Sequence, residues 1–221
     1  MPRGDWSLLR GLADEERTRV LERTRRRTFA RNEVIFHEGD PGDALFLLER
    51  GRVALRVATP LGDVATLSVL GPGASFGEGA LLHEDSRRSA TAIACEPVEA
   101  RCIGRGEFDE LRNDHPGVDR VLIEALGAQL RRTTEHLVEA LYVSADKRVL
   151  RRLLTLVADS PSDADGVVAV PFTQDELASM AGTTRATANR VLRAAEQAGA
   201  LALRRGRVDV RDVELLQRRA R

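Results

Sequence analysis

A glycine-rich turn followed by an arginine gives this sequence a segment suited to binding an anion. The turn is Phe76-Gly77-Glu78-Gly79-Ala80-Leu81-Leu82, and Arg88-Ser89-Ala90 follows it. A turn that opens a short helix leaves backbone amides free to donate to a phosphate, while Arg88 adds a guanidinium fork and Ser89 a hydroxyl donor. Glu78 would repel a phosphate, so it fits only a ligand whose hydroxyl groups donate to it, as in a ribose phosphate. A surface ion pair between Glu78 and Arg88 is the alternative.

A second group of residues has the composition of a DNA-reading helix. The segment is Thr184-Arg185-Ala186-Thr187-Ala188-Asn189-Arg190, in which positions 185, 186, 189 and 190 lie close to one helix face. Arg185 and Arg190 can each donate two hydrogen bonds to O6 and N7 of a guanine. Asn189 can hydrogen-bond to an adenine or to a phosphate. A solvated helix face would also look basic, so the interpretation depends on the neighbouring elements.

Those neighbouring elements carry the capping signals of a helix-turn-helix. Thr173-Gln174-Asp175-Glu176 is a capping box, which predicts a helix that begins at 173 and ends at Ala181-Gly182. A second helix opens with Thr183 or Thr184 as its cap and ends at Gly199. Two helices joined by a tight turn that contains glycine are the arrangement that reads DNA.

The remainder of the C-terminal part predicts a wing. An amphipathic helix over 147–157 and a polar loop from Asp159 to Gly166 precede the helix pair. After it, 200–203 and 208–210 read as a two-stranded hairpin whose tip is Arg204-Arg205-Gly206-Arg207. A basic tip of this kind can reach phosphates.

The N-terminal part reads as a β unit over about 29–106. After a helical segment around Leu8 to Arg27, short apolar runs alternate with glycine turns, one of which is Leu61-Gly62-Asp63. The predicted strands are Val34 to Phe36, Leu45 to Leu48, Val53 to Val57, Val64 to Leu70, Ala90 to Ala94 and Val98 to Ile103. This pattern indicates an antiparallel barrel or roll.

A long helix over 118–144 follows the β unit and carries a narrow apolar seam. Its members recur alternately every three and four residues: Ile123, Leu126, Leu130, Thr133, Leu137, Ala140 and Ser144. Such a seam predicts pairing with a second copy across a two-fold axis; packing onto the chain's own β unit is the alternative. Thr133-Thr134 places hydroxyls there, which indicates register control or a buried polar ligand.

Composition and charge exclude several classes of protein. The chain has 221 residues, 43% hydrophobic and 31% charged, which favours two globular domains. No apolar stretch reaches the ~18 residues of a membrane span, and no secretory signal is visible, so a cytoplasmic location is expected. Residues 146–221 carry 14 basic and 10 acidic side chains, whereas residues 1–145 carry 20 basic and 24 acidic ones. This asymmetry favours a nucleic-acid partner at the C-terminal end, with random scatter as the alternative.

Metal and enzyme chemistry are not expected. Two cysteines, Cys95 and Cys102, are too few for a disulfide framework or a four-thiolate cluster and should be core side chains. The four histidines show no metal-ligand spacing: His37, His83, His115 and His136. The β unit could also be the regulatory domain of an enzyme or channel, but no catalytic domain, membrane segment or nucleoside triphosphate loop is visible for it to regulate.

The order of these features resembles that of the catabolite activator/FNR-type (CRP/FNR) bacterial transcription regulators, in the branch of the cyclic AMP receptors. The likeness covers nearly the whole chain, including the turns Glu38-Gly39-Asp40-Pro41 and Gly71-Pro72-Gly73. The ten-residue offset from Glu78 to Arg88 is the one that cyclic-nucleotide-binding domains use. The resemblance implies an α+β fold: a cyclic-nucleotide-binding β-roll over 1–117, a dimerisation helix over 118–144 and a winged helix-turn-helix domain over 145–221.

The resemblance also implies roles for residues. Glu78 would bind the ribose 2′-hydroxyl, and Arg88 and Ser89 the cyclic phosphate. Thr133 and Thr134 match in type a pair that reaches the adenine amino group, one residue from each subunit. The implied nucleotide-binding set is Leu67, Leu70, Gly77, Glu78, Gly79, Ala80, Arg88, Ser89, Thr133 and Thr134. The DNA-binding set is Thr173, Thr183, Thr184, Arg185, Thr187, Asn189, Arg190, Arg204, Arg205 and Arg207.

The implied function is that of a homodimeric, cyclic-AMP-responsive transcription regulator, with cyclic GMP a poorer effector and no metal. Its implied partners are a pseudo-palindromic double-stranded DNA operator and RNA polymerase. Two positions depart from the family pattern: Gln129 replaces a common arginine, and Ala186 replaces a glutamate that helps to read a cytosine. The alternative is a regulator of the same family that senses a redox signal, a gas or another small molecule, or that binds DNA without nucleotide.

Overall fold

The chain divides into two compact units. The structure, a computed structural model, describes residues 6, 9, 12–59, 62–82, 86–115, 117–158 and 160–221. One unit comprises Met1–Val57 with Leu67–Arg132, and the other comprises Ala58–Thr66 with Thr133–Arg221. In the described part of the chain, no helix has both the length and the apolar character needed to cross a membrane.

The first unit is built mainly from strands. Its helices are α1 (Asp14–Glu22), α2 (Arg105–Asp114) and the first part of α3 (Gly117–Tyr142). Its strands are β1 (Arg25–Phe29), β2 (Val34–Phe36), β3 (Ala44–Arg50), β4 (Val53–Ala58), β5 (Val64–Leu70), β6 (Ser75–Phe76), β7 (Thr91–Ala94) and β8 (Val98–Gly104). They form two four-stranded sheets, in the orders β1-β8-β3-β6 and β2-β7-β4-β5.

Strand β3 is buried on both faces, and this explains its continuous apolar sequence. Leu45 and Leu47 belong to a core cluster with Phe108 of α2 and Leu122 of α3. The alternate residues of β3, including Phe46, belong to a second cluster between the sheets. Since side chains alternate along a strand, β3 joins the two cores and holds the adjoining β6 in place.

The second unit contains the end of α3, a helix bundle and a small sheet. Its further helices are α4 (Ala145–Ala158), α5 (Gln174–Met180), α6 (Arg185–Gln197) and α7 (Val213–Ala220). Its strands β9 (Val168–Val170), β10 (Leu201–Arg204) and β11 (Arg207–Val210) pair in the order β10-β11-β9. Val149, Leu153, Leu177 and Leu192 are fully buried where α4, α5 and α6 pack together.

The predicted α+β class is confirmed, but two sequence expectations about its elements are wrong. The first helix covers only Asp14–Glu22 among the described residues, and Arg25–Phe29 forms strand β1, which pairs with β8. Tertiary pairing here overrides the helix propensity of the arginines. The long helix ends at Tyr142, so Ser144 is not part of its seam. The predicted positions Leu8, Leu61, His83 and Asp159 lie outside the described residues.

Candidate functional site

Gly77 forms the corner of the glycine turn. It follows β6 directly, has a φ of 85° and begins a 3₁₀ turn over Glu78–Leu81. A Cβ at this position would lie 2.6 Å from Nη1 of Arg88 and 3.2 Å from the carbonyl oxygen of Ala44. The left-handed backbone and the close approach of Arg88 therefore both require glycine.

Arg88 lies beneath this turn with its guanidinium group buried. Nη1 donates to the Gly77 carbonyl at 3.0 Å, and Nη2 donates to Oδ1 of Asp43 at 2.9 Å. The guanidinium carbon lies 4.2 Å from the centre of the Phe36 ring, a cation–π arrangement. The Arg88 side chain is 2% exposed, whereas that of Asp43 is 85% exposed. Burial lowers the pKa of Arg88 below its ordinary value, and the hydrogen bond and charge of Asp43 oppose this shift. Because arginine stays protonated in proteins, its positive charge is held beside the glycine turn.

Glu78 is the acidic member of the turn and has an unsatisfied oxygen. Its Oε2 is buried and has no hydrogen-bond partner among the described residues. Burial raises the pKa of Glu78, against the lowering effects of a hydrogen bond with its own backbone and of the charges of Arg132 and Arg88. A surface ion pair between Glu78 and Arg88 does not describe this site, because Arg88 is buried and pairs with Asp43.

The other nucleotide candidates occupy different environments. Leu70 packs against the second core cluster, while Leu67 is 50% exposed. Gly79 and Ser89 are exposed, and the side chain of Ala80 is outside the described part. Thr133 and Thr134 are exposed residues of α3 that belong to the second unit. The structure thus brings together Gly77, Glu78 and Arg88 in the first unit.

Two acidic residues of this site were not predicted from the sequence. Asp43 is the carboxylate partner of Arg88. Asp40 accepts from the His37 amide at 2.8 Å through Oδ2, and its carbonyl accepts from the Arg88 amide at 2.9 Å. The two aspartates lie three residues apart in the turn Gly39-Asp40-Pro41-Gly42-Asp43, and this repetition is the sequence signal that could have identified them.

The capping predictions for the helix-turn-helix are confirmed. The Thr173 side chain accepts from the Glu176 amide, and the Glu176 carboxylate accepts from the Thr173 amide at 2.7 Å. Thr184, not Thr183, caps α6, because its hydroxyl accepts from the Thr187 amide. Gly199 has a φ of 81° and follows the end of α6. The Thr184 cap fixes where the first turn of α6 begins.

Helix α6 presents the predicted face to solvent. Arg185, Ala186 and Arg190 are exposed, and Asn189 is half-buried. The opposite face is buried in the core of the unit: Ala188, Val191, Leu192 and Ala195. A helix with one polar, exposed face at its N-terminal end has the geometry to enter a major groove.

Each polar side chain on this face has a partner within its own unit. Arg185 lies 3.2 Å from an oxygen of Asp175. Arg190 makes two hydrogen bonds to Asp146, at 2.9 and 2.5 Å. Asn189 donates through Nδ2 to Oε1 of Gln174 at 2.6 Å. A ligand that bound these groups would have to share or replace these partners.

The wing is the β10–β11 hairpin, and β9 adds a third strand that was not predicted. Arg204 and Arg207 lie 3.5 and 2.9 Å from the carboxylate of Asp209. Arg205 and Gly206 form the exposed turn between the strands. A groove between this hairpin and the helix pair is lined by Thr173, Gln174, Arg185, Arg204 and Arg207, among others. The predicted basic residues therefore lie on adjoining surfaces.

Helix α3 has two apolar faces. Val118 and Leu122 are buried in the core of the first unit, and Leu126 packs against the same cluster. The predicted seam residues Ile123, Leu130 and Leu137 are 68%, 68% and 59% exposed. Leu126 shows that packing onto the chain's own unit accounts for part of the predicted seam. Ile123, Leu130 and Leu137 each expose more than half of their surface in the single chain.

The histidines and cysteines that the structure describes do not form a metal site. Among the residues that the structure describes, no three His, Cys, Asp or Glu side chains cluster so as to hold a metal ion. His115 contacts Oε1 of Glu16 at 3.0 Å through Nδ1. Cys95 is buried and Cys102 is half-buried, and neither forms a disulfide. Burial raises the pKa of Cys102, which disfavours the reactive thiolate.

Comparison with known proteins relates both units to one family. Residues 26–115 match the family described as Cyclic nucleotide-binding domain, and residues 147–219 match the Crp-like helix-turn-helix domain. The Cyclic AMP receptor protein of Thermus thermophilus is 36% identical over 210 residues, which cover 95% of this chain and 94% of that protein.

Two further relatives agree with this match. The CRP-like cAMP-activated global transcriptional regulator of Mycobacterium tuberculosis is 31% identical over 195 residues, or 87% of each chain. The solved structure of the Thermus thermophilus Catabolite Activator Protein is 35% identical, with a TM-score of 0.56, and the match covers 97% of this chain and 98% of that one. A cyclic-nucleotide-binding domain and a Crp-like helix-turn-helix joined in one chain, with relatives at this identity, show that the protein belongs to the CRP/FNR family of transcription regulators.

Proposed function

We propose that this chain is a homodimeric, cyclic-AMP-responsive regulator in which nucleotide binding shifts the arrangement of the two helix-turn-helix domains. The observation that carries the nucleotide part is the buried Oε2 of Glu78, which has no hydrogen-bond partner among the described residues. A buried acceptor without a donor is costly, and a sugar hydroxyl would supply the donor. Arg88 lies close by, below Gly77, with a charge suited to a phosphate.

The nucleotide site fits a cyclic ribose phosphate better than a free sugar or a simple anion. Glu78 would accept from a ribose hydroxyl, while Arg88, Ser89 and the amides of the glycine turn would donate to the phosphate. Leu67 is half exposed, and it and Leu70 would cover the base. Thr133 and Thr134 would donate to or accept from the adenine edge, which favours cyclic AMP over cyclic GMP.

The proposed dimer rests on α3. Ile123, Leu130 and Leu137 follow one another at seven-residue spacing, and all three are more than half exposed. Large apolar side chains on one stripe of a long helix are suited to pairing with the same stripe of a second copy. A nucleotide that contacts both the β unit and this helix could favour one arrangement of the dimer, which is what coupling between the two sites requires.

The proposed DNA site rests on α6 and the wing. A two-fold dimer would present two copies of α6 to half-sites about 34 Å apart, one turn of the duplex. Arg185 and Arg190 would each select a guanine, and the wing arginines would contact phosphates. We place this regulator in the cytoplasm with its DNA and expect RNA polymerase to be its further partner in transcription.

The experiment that tests the proposal combines two measurements on the full-length protein. Thermal unfolding with cyclic AMP, with cyclic GMP and without ligand should show the largest stabilisation for cyclic AMP. Selection from randomised duplex DNA should then return a pseudo-palindrome, more strongly when cyclic AMP is present. Stabilisation by neither nucleotide would refute the effector assignment, and the absence of any selected palindrome would refute the DNA assignment.

A further inference from the structure

Asp146 belongs to no predicted site, yet it forms an extensive contact with a proposed DNA-reading residue. It is in the first turn of α4, 44 positions before Arg190 in the sequence. Nη1 of Arg190 donates to its Oδ2 at 2.9 Å, and Nη2 donates to its Oδ1 at 2.5 Å. Two parallel bonds fix the plane of the guanidinium group as well as its position.

The segment that carries Asp146 is itself fixed to the helix-turn-helix. Arg148, two residues later, donates to the carbonyls of Ala181 at 2.8 Å and Gly182 at 3.1 Å, in the turn between α5 and α6. Its Nη1 donates to the Val143 carbonyl at 2.7 Å, just before α4. The two bonds to Ala181 and Gly182 tie the start of α4 to the turn that precedes α6, and the bond to Val143 fixes the Arg148 side chain to the residues just before α4. Asp146 therefore meets Arg190 from a rigid support.

The pair leaves Arg190 able to bind a base. An arginine has about five N–H donors, and Asp146 occupies two of those of Arg190. The remaining donors are sufficient for the two acceptors that a guanine presents in the major groove. Arg190 is 63% exposed and Asp146 is 48% exposed, so this edge is open to a ligand.

We infer that Asp146 is a positioning residue, which holds Arg190 in the orientation needed to read one base pair and so sets sequence specificity. The inference rests on the proposed DNA function. It also predicts a distinctive pattern, because a carboxylate near the DNA surface repels phosphates. Asp146 should lower the affinity for DNA of any sequence while it raises the preference for the correct base.

Helix electrostatics provide the competing explanation. An acidic residue in the first turn of a helix is favourable on its own, whatever it contacts. The Arg185–Asp175 pair of the same unit has a single contact at 3.2 Å. It therefore constrains the orientation of its guanidinium group less than Asp146 constrains that of Arg190. A purely structural Asp146 would change the unfolding temperature and leave base preference unaltered.

The test uses full-length protein with cyclic AMP and duplexes from selection on a randomised library. Arg190→Ala first identifies the base pair that Arg190 reads. At that base pair, Asp146→Ala should reduce the affinity ratio between the preferred and substituted base by about fivefold or more, while it tightens binding to non-operator DNA. Asp146→Glu should restore part of the preference. The double variant should lose no more preference than Arg190→Ala. Asp165→Ala, which removes the same charge from the exposed loop after α4, should leave the preference unchanged.

Each contrary outcome has a distinct meaning. Unchanged base preference in Asp146→Ala overturns the positioning role, even when its unfolding temperature shifts. Uniformly tighter binding with full preference would mean that Asp146 only blocks Arg190, and that also overturns it. If Arg190→Ala keeps the wild-type base preference, Arg190 reads no base. Asp146 then has no base contact to position, which also overturns the inference. A wild-type protein that selects no operator contradicts the proposed function itself, which separates that failure from the others.

Discussion

Replacing Arg88 by alanine should weaken cyclic AMP binding by a factor that can be worked out from its contacts. Two charge-assisted hydrogen bonds to a phosphate are each worth about 1.5 to 3 kcal/mol. Nη2 already donates to Asp43, so a bond from Nη2 to the phosphate replaces that bond and adds none. Nη1 donates one of its two N–H groups to the Gly77 carbonyl, and its second N–H can add a bond to the phosphate. The net loss is therefore about one such bond. This corresponds to about a 10- to 150-fold increase in the Kd.

The same substitution should destabilise the empty protein to a smaller extent. Arg88 loses its bond to the Gly77 carbonyl and its contact with Phe36. The Asp43 carboxylate is 85% exposed, so it returns to water at little cost. We expect a loss of about 1 to 3 kcal/mol in the free energy of unfolding, which a two-unit chain of this size should tolerate.

Isothermal titration calorimetry with cyclic AMP is the assay, with thermal unfolding to confirm that each variant is folded. Arg87→Ala is the matched control, because Arg87 is the exposed neighbour and donates only weakly, to the Gly39 carbonyl at 3.3 Å. It should bind cyclic AMP as the wild type does. A folded Arg88→Ala protein with wild-type affinity would refute the assignment of Arg88 as the phosphate ligand.

Three further predictions follow from other parts of the chain. Leu130→Asp combined with Leu137→Asp should give monomers in sedimentation at micromolar concentration, because each buried leucine contributes about 1.5 to 3 kcal/mol and is counted twice in a two-fold dimer. Arg205→Ala should weaken binding to all DNA sequences alike and flatten the salt dependence by about one unit, because the exposed wing tip would contact a phosphate. Glu78→Gln should become increasingly more stable than wild type as pH rises above 4.5. Because the pKa of Glu78 is raised in the folded state, the folded protein keeps a proton on Glu78 at pH values where the unfolded chain, with a Glu pKa near 4.5, has lost it. The stability of the wild type therefore falls as the pH rises through this range.

These three predictions have simple controls or contrary results. A dimer that persists in the leucine variant would move the interface away from α3. Arg219→Ala, on the exposed side of α7, is the control for the wing and should leave the salt dependence unchanged. A salt slope equal to that of the wild type in Arg205→Ala would contradict the phosphate contact. For Glu78→Gln, thermal unfolding between about pH 4 and pH 8 should show the difference, and parallel curves would mean that Glu78 titrates normally.

Local chemistry in the sequence was sufficient to predict the features that depend on neighbouring residues. The Thr173–Glu176 capping box and the glycine stop at Gly199 are set by backbone groups a few residues away. Gly77 of the glycine turn was also recognisable, because a turn of this kind requires a left-handed residue. Such features depend little on the rest of the fold.

Features that depend on distant partners were missed. Strand β1 begins with three arginines, and nothing within it indicates that β8 will pair with it. Asp43 becomes part of the site only because the fold brings the residue just before β3 to Arg88, 45 positions along the chain. Helix α3 shows a single seam in the sequence, but the structure divides its apolar residues between an inner and an outer face. In each case the deciding contact is tertiary.

The exposed Ala186 has a consequence for how regulators of this family can diverge. It lies in the first turn of α6, which carries no acidic residue, and its side chain contributes nothing to the core. A glutamate there would be favoured by the helix dipole, so the fold accepts either residue. In the proposed DNA complex, binding preference at the base pair that faces position 186 can therefore change without loss of stability. Two paralogues in one cell could regulate separate sets of promoters through this single codon, while they share an effector and an architecture.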